Sequence, residues 1–466
     1  MATAFPADAG WSPRIEGTSK PIYQAIADAI SDDLRSGRLA PGARLPPQRA
    51  LAAALGVDLT TITRAYAEAR RRGLVSARVG QGSFVHARPA AQPYGAPSGR
   101  PVDMTMNMPP PFEDEAVARR MWRAFEEVQA RQGLDLLLRY QDPGGVAEDR
   151  AAAAAWLGDR VPGLGPERTL VTPGVQAALV AVISSLANPG DVICAERLAY
   201  PGVRAAAAHL GLAVIGVEMD AQGIIPDAFA QACREAGPRA LCCTPTLQNP
   251  TTATMSLVRR QEIAAIARRY RVAIVEDDAY GKLPEDPAPA LAALAPEITW
   301  HIVGLAKLAS PALRIAYVAA PDTAAAAQVA GRLRAVAGMA SPVSAAVATR
   351  WIRTRTIDEV LGAIRRETRA RRRIAAEAFG PEFLEPSDAF HLWLALPRPW
   401  SRARFQAELQ PHAVSVVPSD AFVTGGQPPE AVRIGLGAAA SRADLARALA
   451  AMAKVLELEP RWGAYS

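Results

Sequence analysis

Lysine is scarce in this chain of 466 residues. Only four of its 52 basic residues are lysines, and all the others are arginines. Arginine stays protonated, whereas lysine can lose its proton when it is desolvated and can then attack a carbonyl carbon. A lysine that is retained in such an arginine-rich chain, as Lys307 is, is therefore a candidate for chemistry.

Cysteine, histidine and long apolar runs are scarce too. The four cysteines lack the spacing of metal ligands and are interpreted as reduced core thiols, and the five histidines form no ligand cluster, so no metal is expected. His391 alternates with apolar residues as in a strand and is interpreted as structural. Because no apolar run could cross a bilayer and no leader pattern opens the chain, we expect a cytoplasmic protein without a membrane partner.

Three short apolar segments have the composition of buried strands in an α/β fold: 239–243, 270–275 and 300–304. Polar or ionisable residues follow each of them, namely Asn249, Asp277 and Lys307. Because such sheets bind ligands beyond the carboxyl ends of their strands, we expect these three side chains to lie close together.

The residues around Lys307 match the needs of pyridoxal phosphate. Lys307 could form a Schiff base with the aldehyde, and Asp277 could keep the pyridine nitrogen protonated so that the ring withdraws electrons. Tyr280 and Asn249 are candidates to hold the ring hydroxyl as its anion, and Arg314 to clamp the phosphate. Each residue alone has an ordinary structural explanation, but the ordered set predicts a cofactor site.

At these residues the chain resembles the fold-type I aminotransferases, over most of its length after residue 105. The matching segments are Tyr140–Gly145 with Arg150, Thr172–Leu179, Glu196–Gly202 and Val432–Leu436. The resemblance implies an α/β fold with a large mixed-sheet lobe and a smaller α+β lobe from about residue 330. It assigns further site residues: Gly174, Val175 and Gln176 to the phosphate loop, Tyr200 to the pyridine face, and Arg433 to a substrate carboxylate.

The chain departs from that family's pattern at three positions. Val175 and Ala306 stand where relatives usually have hydroxyl residues, and Thr252 stands where glycine commonly follows Asn-Pro-Thr. We therefore expect phosphate binding to depend more on Arg314 and on backbone amides at a helix start.

The first ninety residues predict a winged helix-turn-helix. An apolar stripe, Ile22 to Leu34, indicates a first helix that ends near Gly37, and residues 46–56 read as a second helix opened by proline and closed by glycine. Asp58 is a natural N-cap for a third helix over 59–72, and residues 73–85 predict a hairpin with a glycine-rich tip.

This module resembles the GntR family, and charge supports DNA as its partner. Residues 1–90 contain twelve basic and seven acidic residues, which gives +5 of the chain's formal +6. The resemblance implies contacts with operator DNA from six residues: Arg49, Thr60, Thr61, Arg64, Gln81 and Gly82. The family's usual Ser-Arg before the paired threonines is Asp58-Leu59 here.

The predicted organisation is a DNA-binding domain over 1–86, a proline-, alanine- and glycine-rich linker over 87–104, and an aminotransferase-like domain over 105–466. This arrangement resembles the MocR/GabR regulators. It implies a transcription regulator that binds pyridoxal phosphate, senses a small amine, an amino acid or the cofactor itself, and forms a head-to-tail homodimer.

Two other interpretations remain open. The chain could be an active aminotransferase that carries a DNA-binding module, because Lys307, Asp277 and Arg433 suffice for the first half-reaction. It could also be a DNA-binding protein whose large domain serves only as a dimerisation scaffold. Multiple turnovers with an amino donor and a keto acid would indicate an enzyme, and ligand-dependent operator binding without turnover would indicate a regulator.

Overall fold

The computed structural model of the chain describes residues 11–13, 15, 21–35, 38–40, 42–71, 74–78, 82–85, 101–381 and 388–458. The chain divides into two compact units, Met1–Gly95 and Ala96–Ser466. Within the described ranges, no helix combines the length and the apolar composition that a membrane span requires.

The first unit is built from helices and one hairpin: α1 (Ile22–Arg35), α2 (Gln48–Leu55), α3 (Leu59–Arg71), β1 (Val75–Arg78) and β2 (Gly82–Val85). Gly56 ends α2 in the left-handed conformation, at φ 64°. Asp58 then caps α3, because its Oδ1 atom accepts a hydrogen bond of 2.7 Å from the backbone N–H of Thr60. The predicted order of helix, turn, helix and hairpin is thus confirmed.

The core of the first unit lies where the three helices meet the hairpin. Ile26 and Ile30 of α1 pack with Ile62 and Tyr66 of α3, and all four are buried. The hairpin is antiparallel and pairs Val75 with Val85. The predicted hairpin tip, including Gln81, and the ends of the first and third predicted helices lie outside the described residues.

The second unit begins with these elements: β3 (Val102–Asp103), α4 (Glu115–Arg131), α5 (Asp135–Leu138), α6 (Ala147–Leu157), β4 (Thr169–Thr172), α7 (Val175–Leu186), β5 (Val192–Glu196), α8 (Pro201–His209), β6 (Ala213–Val217), β7 (Met219–Asp220), β8 (Gly223–Ile224), α9 (Pro226–Ala236), β9 (Ala240–Cys243), α10 (Leu257–Tyr270) and β10 (Ala273–Asp277). It continues with α11 (Leu291–Leu294), β11 (Thr299–Gly304), α12 (Leu305–Leu308), β12 (Ala316–Ala319), α13 (Thr323–Ala337), α14 (Pro342–Arg353), α15 (Thr356–Phe379), β13 (His391–Ala395), α16 (Arg402–Leu409), β14 (Val414–Ser415), β15 (Val417–Pro418), β16 (Ala431–Gly435) and α17 (Arg442–Glu457).

The large lobe is organised on a seven-stranded mixed sheet in the order β4-β12-β11-β10-β9-β5-β6. Its strands are parallel except β12, which is antiparallel to both of its neighbours. Near-continuous burial of the strands reflects cover on both faces, as expected for an α/β sheet. The four cysteines are free and buried within this lobe, as predicted.

One predicted strand begins too early. Residues 270–275 were expected to form it, but α10 extends to Tyr270, and Arg271 ends that helix in the left-handed conformation, at φ 57°. The strand therefore starts at Ala273. It ends at Asp277, two residues after the predicted end, so the acidic residue is the last residue of the strand and does not follow it.

The smaller lobe contains the antiparallel sheet β13-β16-β15, with α15 and α17 packed against it. Its predicted start near residue 330 is wrong, because that position lies inside α13, whose Val329 and Leu333 belong to the core of the large lobe. The predicted linker end at residue 104 also needs correction. Val102–Asp103 pairs with β14 and thus joins the smaller lobe.

Candidate functional site

Lys307 lies on the short helix α12, immediately after the carboxyl end of β11. Burial is the main factor that lowers the pKa of its amine, to about 8; the positive charge of Arg433 lowers it further, and the negative charge of Asp277 opposes the shift. The amine donates a hydrogen bond to the backbone carbonyl of Asn107. A lowered pKa increases the neutral, nucleophilic fraction of the amine near neutral pH.

Asp277 ends β10, the strand next to β11, and its side chain is buried. Burial and, second, the charge of Asp278 raise the pKa of its carboxyl group to about 7; a backbone hydrogen bond and Lys307 oppose the rise. Among the described residues, nothing hydrogen-bonds to its Oδ1 atom. A buried oxygen without a partner is costly unless a ligand satisfies it, so Asp277 is ready to hold a cationic N–H donor.

Asp278 has a different role from its neighbour. Its carboxylate forms buried contacts of 2.9 Å with Arg160 Nε and 3.0 Å with His301 Nε2. Although burial opposes it, these two partners keep the pKa of Asp278 well below its usual value. The chain thus places side by side one carboxyl group whose pKa is raised and one whose pKa is lowered, and the Asp277 Oδ1 atom stays available to a ligand.

Arg314 lies at the start of α7. Gly174 precedes α7 with φ 97°, and a Cβ atom at this position would lie 3.1 Å from the Nη2 atom of Arg314. The first amides of a helix have no partner within it, so they point at the same corner as the guanidinium. The side chain of Val175 packs against Gly304, because a Cβ atom at Gly304 would lie 2.5 Å from its Cγ2 atom.

Arg433 lies on β16, in the middle of the smaller sheet, and is buried. Its Nη1 atom donates a hydrogen bond of 2.9 Å to Asn249 Oδ1, and Nη2 donates to the backbone carbonyl of Thr105. The guanidinium carbon lies 5.0 Å from the ring centre of Phe422. Among the described residues, the Nε atom has no partner, so the guanidinium retains a donor for an anion.

Two tyrosines face this group of charges. Tyr280 is 2% exposed, and burial raises the pKa of its hydroxyl, which accepts a hydrogen bond of 2.8 Å from Asn107 Nδ2. Burial also raises the pKa of Tyr200, and the charge of Asp277 adds to that rise. The side-chain amide of Gln176, a residue assigned to the predicted phosphate loop, donates a hydrogen bond of 2.9 Å to the carbonyl of Gly202.

Electrostatic interactions show that the predicted residues form one cluster. Lys307 interacts with Asp277, Arg314 and Arg433, and Tyr200 interacts with the same three residues. The structure therefore brings together groups that are more than 200 residues apart in the sequence. Of the three departures from the family pattern, Thr252 has a backbone consequence, because it adopts φ 63°, where glycine is favoured.

Sequence reasoning did not find Thr105 or Asn107, which contact Arg433 and Lys307 through backbone carbonyls. Residues 101–110 hold three polar residues, Asp103, Thr105 and Asn107, among methionines and prolines. Backbone contacts of this kind do not depend on side-chain identity, so no motif in the sequence points to them.

In the first unit, the candidate DNA contacts lie mainly on exposed surface. Arg49 of α2 and Arg64 of α3 are exposed, as are Thr60 and Gly82, while Thr61 is half-buried. The hydroxyl of Thr60 donates to Asp58 at 2.6 Å, so this side chain completes the cap of α3. Thr60, Thr61 and Arg64 thus lie in the first turns of α3, and Arg49 adds a basic side chain from α2.

Arg44 is a further basic residue at this surface that the sequence motif did not indicate. Arg44 is exposed, and its backbone forms an isolated antiparallel β-bridge with Phe84. A Cβ atom at Gly82 would lie 3.1 Å from the Nε atom of Arg44. Among the described residues, no acidic side chain forms an ion pair with Arg44, Arg49 or Arg64. All three charges are therefore available to a polyanion.

Two solved structures that are similar to this chain are aminotransferases. LysN, the α-aminoadipate aminotransferase of Thermus thermophilus, solved in complex with N-(5'-phosphopyridoxyl)-L-leucine, superposes with a TM-score of 0.68 at 22% identity, over 76% of this chain and 92% of LysN. Pyrococcus horikoshii kynurenine aminotransferase gives a TM-score of 0.69 at 20% identity, over 77% and 91% of the two chains. Both likenesses establish the fold.

Other relatives of this chain are named HTH-type transcriptional regulators. YdeF of Bacillus subtilis, an HTH-type transcriptional regulator, is 29% identical over 449 residues, 96% of this chain and 97% of YdeF. TauR of Rhodobacter capsulatus, also an HTH-type transcriptional regulator, is 29% identical over 348 residues, 64% of this chain and 68% of TauR. The chain belongs to the aminotransferase class I and II family over residues 101–452, and its residues 22–85 match the gntR family of bacterial regulatory proteins.

Proposed function

We propose that this protein is a pyridoxal-phosphate-dependent transcription regulator of the MocR/GabR type. The observation that carries the proposal is the cluster of Lys307, Asp277, Arg314 and Arg433 in a chain that also contains a gntR-family module. The names of YdeF and TauR as transcriptional regulators support it. The chain would sense a small amine, an amino acid or the cofactor itself and change its binding to operator DNA.

The residues of the site fit pyridoxal phosphate. Asp277 Oδ1 is a buried acceptor without a partner among the described residues, as a protonated ring nitrogen requires. Arg314 and the first amides of α7 would hold the phosphate, and Tyr200 would lie against the ring. When bound, the cofactor supplies an aldehyde that reacts with amines and a ring that withdraws electrons. Lys307 provides the amine that would hold it covalently, and Tyr280 and Asn249 provide donors for the ring oxygen.

Arg433 indicates the chemistry of the effector. A small amine with a carboxylate or sulfonate would place its anion against the guanidinium, whose Nε atom has no partner among the described residues. The burial of Arg433 strengthens such a contact, because few water molecules compete for the guanidinium. An amino acid or an aminosulfonate therefore fits the site better than a simple alkylamine does.

The first unit supplies the DNA contacts in this proposal. If Arg49 or Arg64 contacts a base, its substitution by alanine should lower DNA affinity by about 5- to 150-fold. If it contacts a phosphate, the slope of log affinity against log salt concentration should become shallower by about one. Fluorescence anisotropy with a DNA fragment selected by the full-length protein measures both quantities. Arg332→Ala, which removes the same charge from an exposed position of α13, is the control. Unchanged affinity and salt dependence in both variants would show that the recognition surface lies elsewhere.

A second copy of the chain is the other expected partner. The region from α4 to residue 140 exposes large apolar side chains, with Trp122 at 69%, Leu137 at 66% and Tyr140 at 95% exposure. Surfaces of this kind typically mark an interface, and we infer that it is covered in a homodimer, which a head-to-tail arrangement would complete.

Charge at this surface should weaken the dimer. Leu137→Glu should raise the dimer dissociation constant by about tenfold or more, because the interface would bury an unpaired carboxylate. Sedimentation velocity measures the change. Val258→Glu, on an exposed position of α10, is the matched control and should leave the dimer intact. If Leu137→Glu dimerises as the wild type does, this surface is not the interface.

An active aminotransferase is the second candidate function, and the assembled cluster favours it as well. Lys307, Asp277 and Arg433 lie together as a transamination half-reaction requires. Steady-state assays with amino donors and keto-acid acceptors discriminate between the two functions. Repeated turnover indicates an enzyme, whereas a spectral response to an amine without turnover, accompanied by a change in DNA affinity, indicates a regulator.

A further inference from the structure

Residues 104–108, here called the strap, run past the carboxyl end of β16 and contact two residues of the charged cluster. The backbone carbonyl of Met104 accepts a hydrogen bond of 2.9 Å from the N–H of Gly435. The next two contacts go to site residues, since the Thr105 carbonyl accepts from Arg433 and the Asn107 carbonyl accepts from Lys307. The strap is therefore held by the same groups that would bind cofactor and effector.

Within the strap, Asn107 also reaches the site through its side chain. The residue is 7% exposed, and its Nδ2 atom donates a hydrogen bond of 2.8 Å to the Tyr280 hydroxyl. An amide N–H₂ group can donate but cannot accept. The phenol oxygen is thus an acceptor in this contact, so its own proton must point away from Asn107.

Two aromatic rings pack against Tyr280. Its ring lies 5.8 Å from the ring of Phe390 and 5.5 Å from that of His391, measured between centres. Burial lowers the pKa of His391 to about 3, so the imidazole remains neutral and does not compete as a cation. The charge of Arg433 faces the hydroxyl as well and favours its ionised form, although burial dominates and raises its pKa.

We propose that Asn107 is a positioning residue that keeps the Tyr280 hydroxyl oriented as a donor toward the ring oxygen of the cofactor. This inference rests on the proposed function, since it requires pyridoxal phosphate at Lys307. The hydrogen bond from Asn107 polarises the phenol O–H, which makes it a stronger donor. A stronger donor stabilises the ring oxygen of the cofactor as its anion. The ring hydroxyl of the bound cofactor should therefore lose its proton at lower pH.

A second consequence concerns the strap. Covalent attachment of the cofactor uses the Lys307 nitrogen, so its hydrogen bond to the Asn107 carbonyl must be lost or replaced. The side chain of Asn107 then becomes the contact that retains this part of the strap beside Tyr280. Residues 86–100 directly precede this region in the sequence and connect it to the DNA-binding unit.

The test is the pH titration of cofactor absorbance in the full-length protein loaded with pyridoxal phosphate. Asn107→Ala removes the donor and should raise the midpoint of the spectral transition by about 0.5–1 pH unit. Asn107→Asp has nearly the same shape but accepts the phenol proton, and it should raise the midpoint by about 1–2 units. Met106→Ala, at a strap position that is 62% exposed, should leave it unchanged.

The outcomes separate this inference from the function on which it rests. Borohydride reduction followed by peptide mass spectrometry shows whether each protein has cofactor on Lys307. If the wild type does not load, the proposed function and the inference both fail. If all four proteins load and share one midpoint, Asn107 is merely structural and the inference alone is overturned, even where the variants unfold at lower temperature.

Discussion

Replacement of Lys307 by alanine is expected to abolish covalent attachment of pyridoxal phosphate completely. The wild-type amine is largely desolvated, its pKa is lowered to about 8, and it lies beside the candidate acidic partner Asp277. No other side chain named in the cluster can form an imine. Arg314 and Asp277 would remain in the variant, so the cofactor should still bind, but reversibly and without a borohydride-reducible linkage.

Intact-protein and peptide mass spectrometry after reduction measure this loss. Lys454→Ala, at an exposed position of α17, is the matched control and should load as the wild type does. Because the chain has only four lysines, the labelled peptide identifies the site without ambiguity. A reducible adduct that persists in Lys307→Ala would contradict the assignment of Lys307.

Asp277→Asn is expected to weaken binding of pyridoxal phosphate by about 10- to 100-fold, the usual value of one hydrogen bond to a charged group. Asparagine has nearly the same shape but cannot balance the charge of a protonated ring nitrogen. Fluorescence titration of the ligand-free proteins gives both dissociation constants. Asp227→Asn, in the first turn of α9, makes the same chemical change outside the site and should bind normally.

The same variant predicts a pH dependence of stability that does not require the cofactor. The pKa of Asp277 is raised from 3.8 to about 7 in the folded protein. Between these values the folded state holds a proton that the unfolded state has lost, so this group makes the protein less stable as pH rises. Relative to Asp277→Asn, the ligand-free wild type should lose about 1.4 kcal/mol per pH unit in that window. Denaturant titrations of both proteins at several pH values from about 4 to 7 measure their free energies of unfolding. A difference between the two proteins that does not change with pH would contradict the raised pKa.

Much of this architecture could be predicted because its signals are local. Gly56 and Asp58 mark the turn between α2 and α3 through backbone requirements that few residues meet. Asp277 and Lys307 follow apolar segments, and parallel strands bring such positions to one edge of the sheet. Periodicity and turn chemistry therefore sufficed for the helices and hairpin of the first unit and for the positions of Asp277 and Lys307, whereas Arg433 was assigned only through the resemblance to aminotransferases.

Other features depend on contacts that no local pattern encodes. The pairing of β3 with β14 joins residues more than 300 positions apart, and it decides that residues 102–104 belong to the smaller lobe. Continuation of α10 to Tyr270 depends on how that helix packs, which overrides the strand-like composition of 270–275. The roles of Thr105 and Asn107 depend on backbone carbonyls, and any residue type supplies one.

The same contacts suggest how the site could influence DNA binding. An effector carboxylate on Arg433 would compete with the Thr105 carbonyl, and cofactor attached to Lys307 would displace the Asn107 carbonyl, because these carbonyls accept hydrogen bonds from the two side chains. Both events act on the strap, which follows residues 86–100 in the sequence. A ligand can shift such an equilibrium only by its difference in affinity between the two states, typically about 1–3 kcal/mol.

The central claim is that the state of the cofactor site changes the affinity of the protein for DNA. The direct measurement is DNA affinity of the loaded full-length protein, with and without an amine that changes its cofactor absorbance, chosen from a panel of amino acids and aminosulfonates. We expect a change of about 5- to 150-fold in the wild type and none in Lys307→Ala. The affinity for the amine should change by the same factor when DNA is added. Equal DNA affinities in the wild type, for an amine that demonstrably occupies the site, would contradict the account.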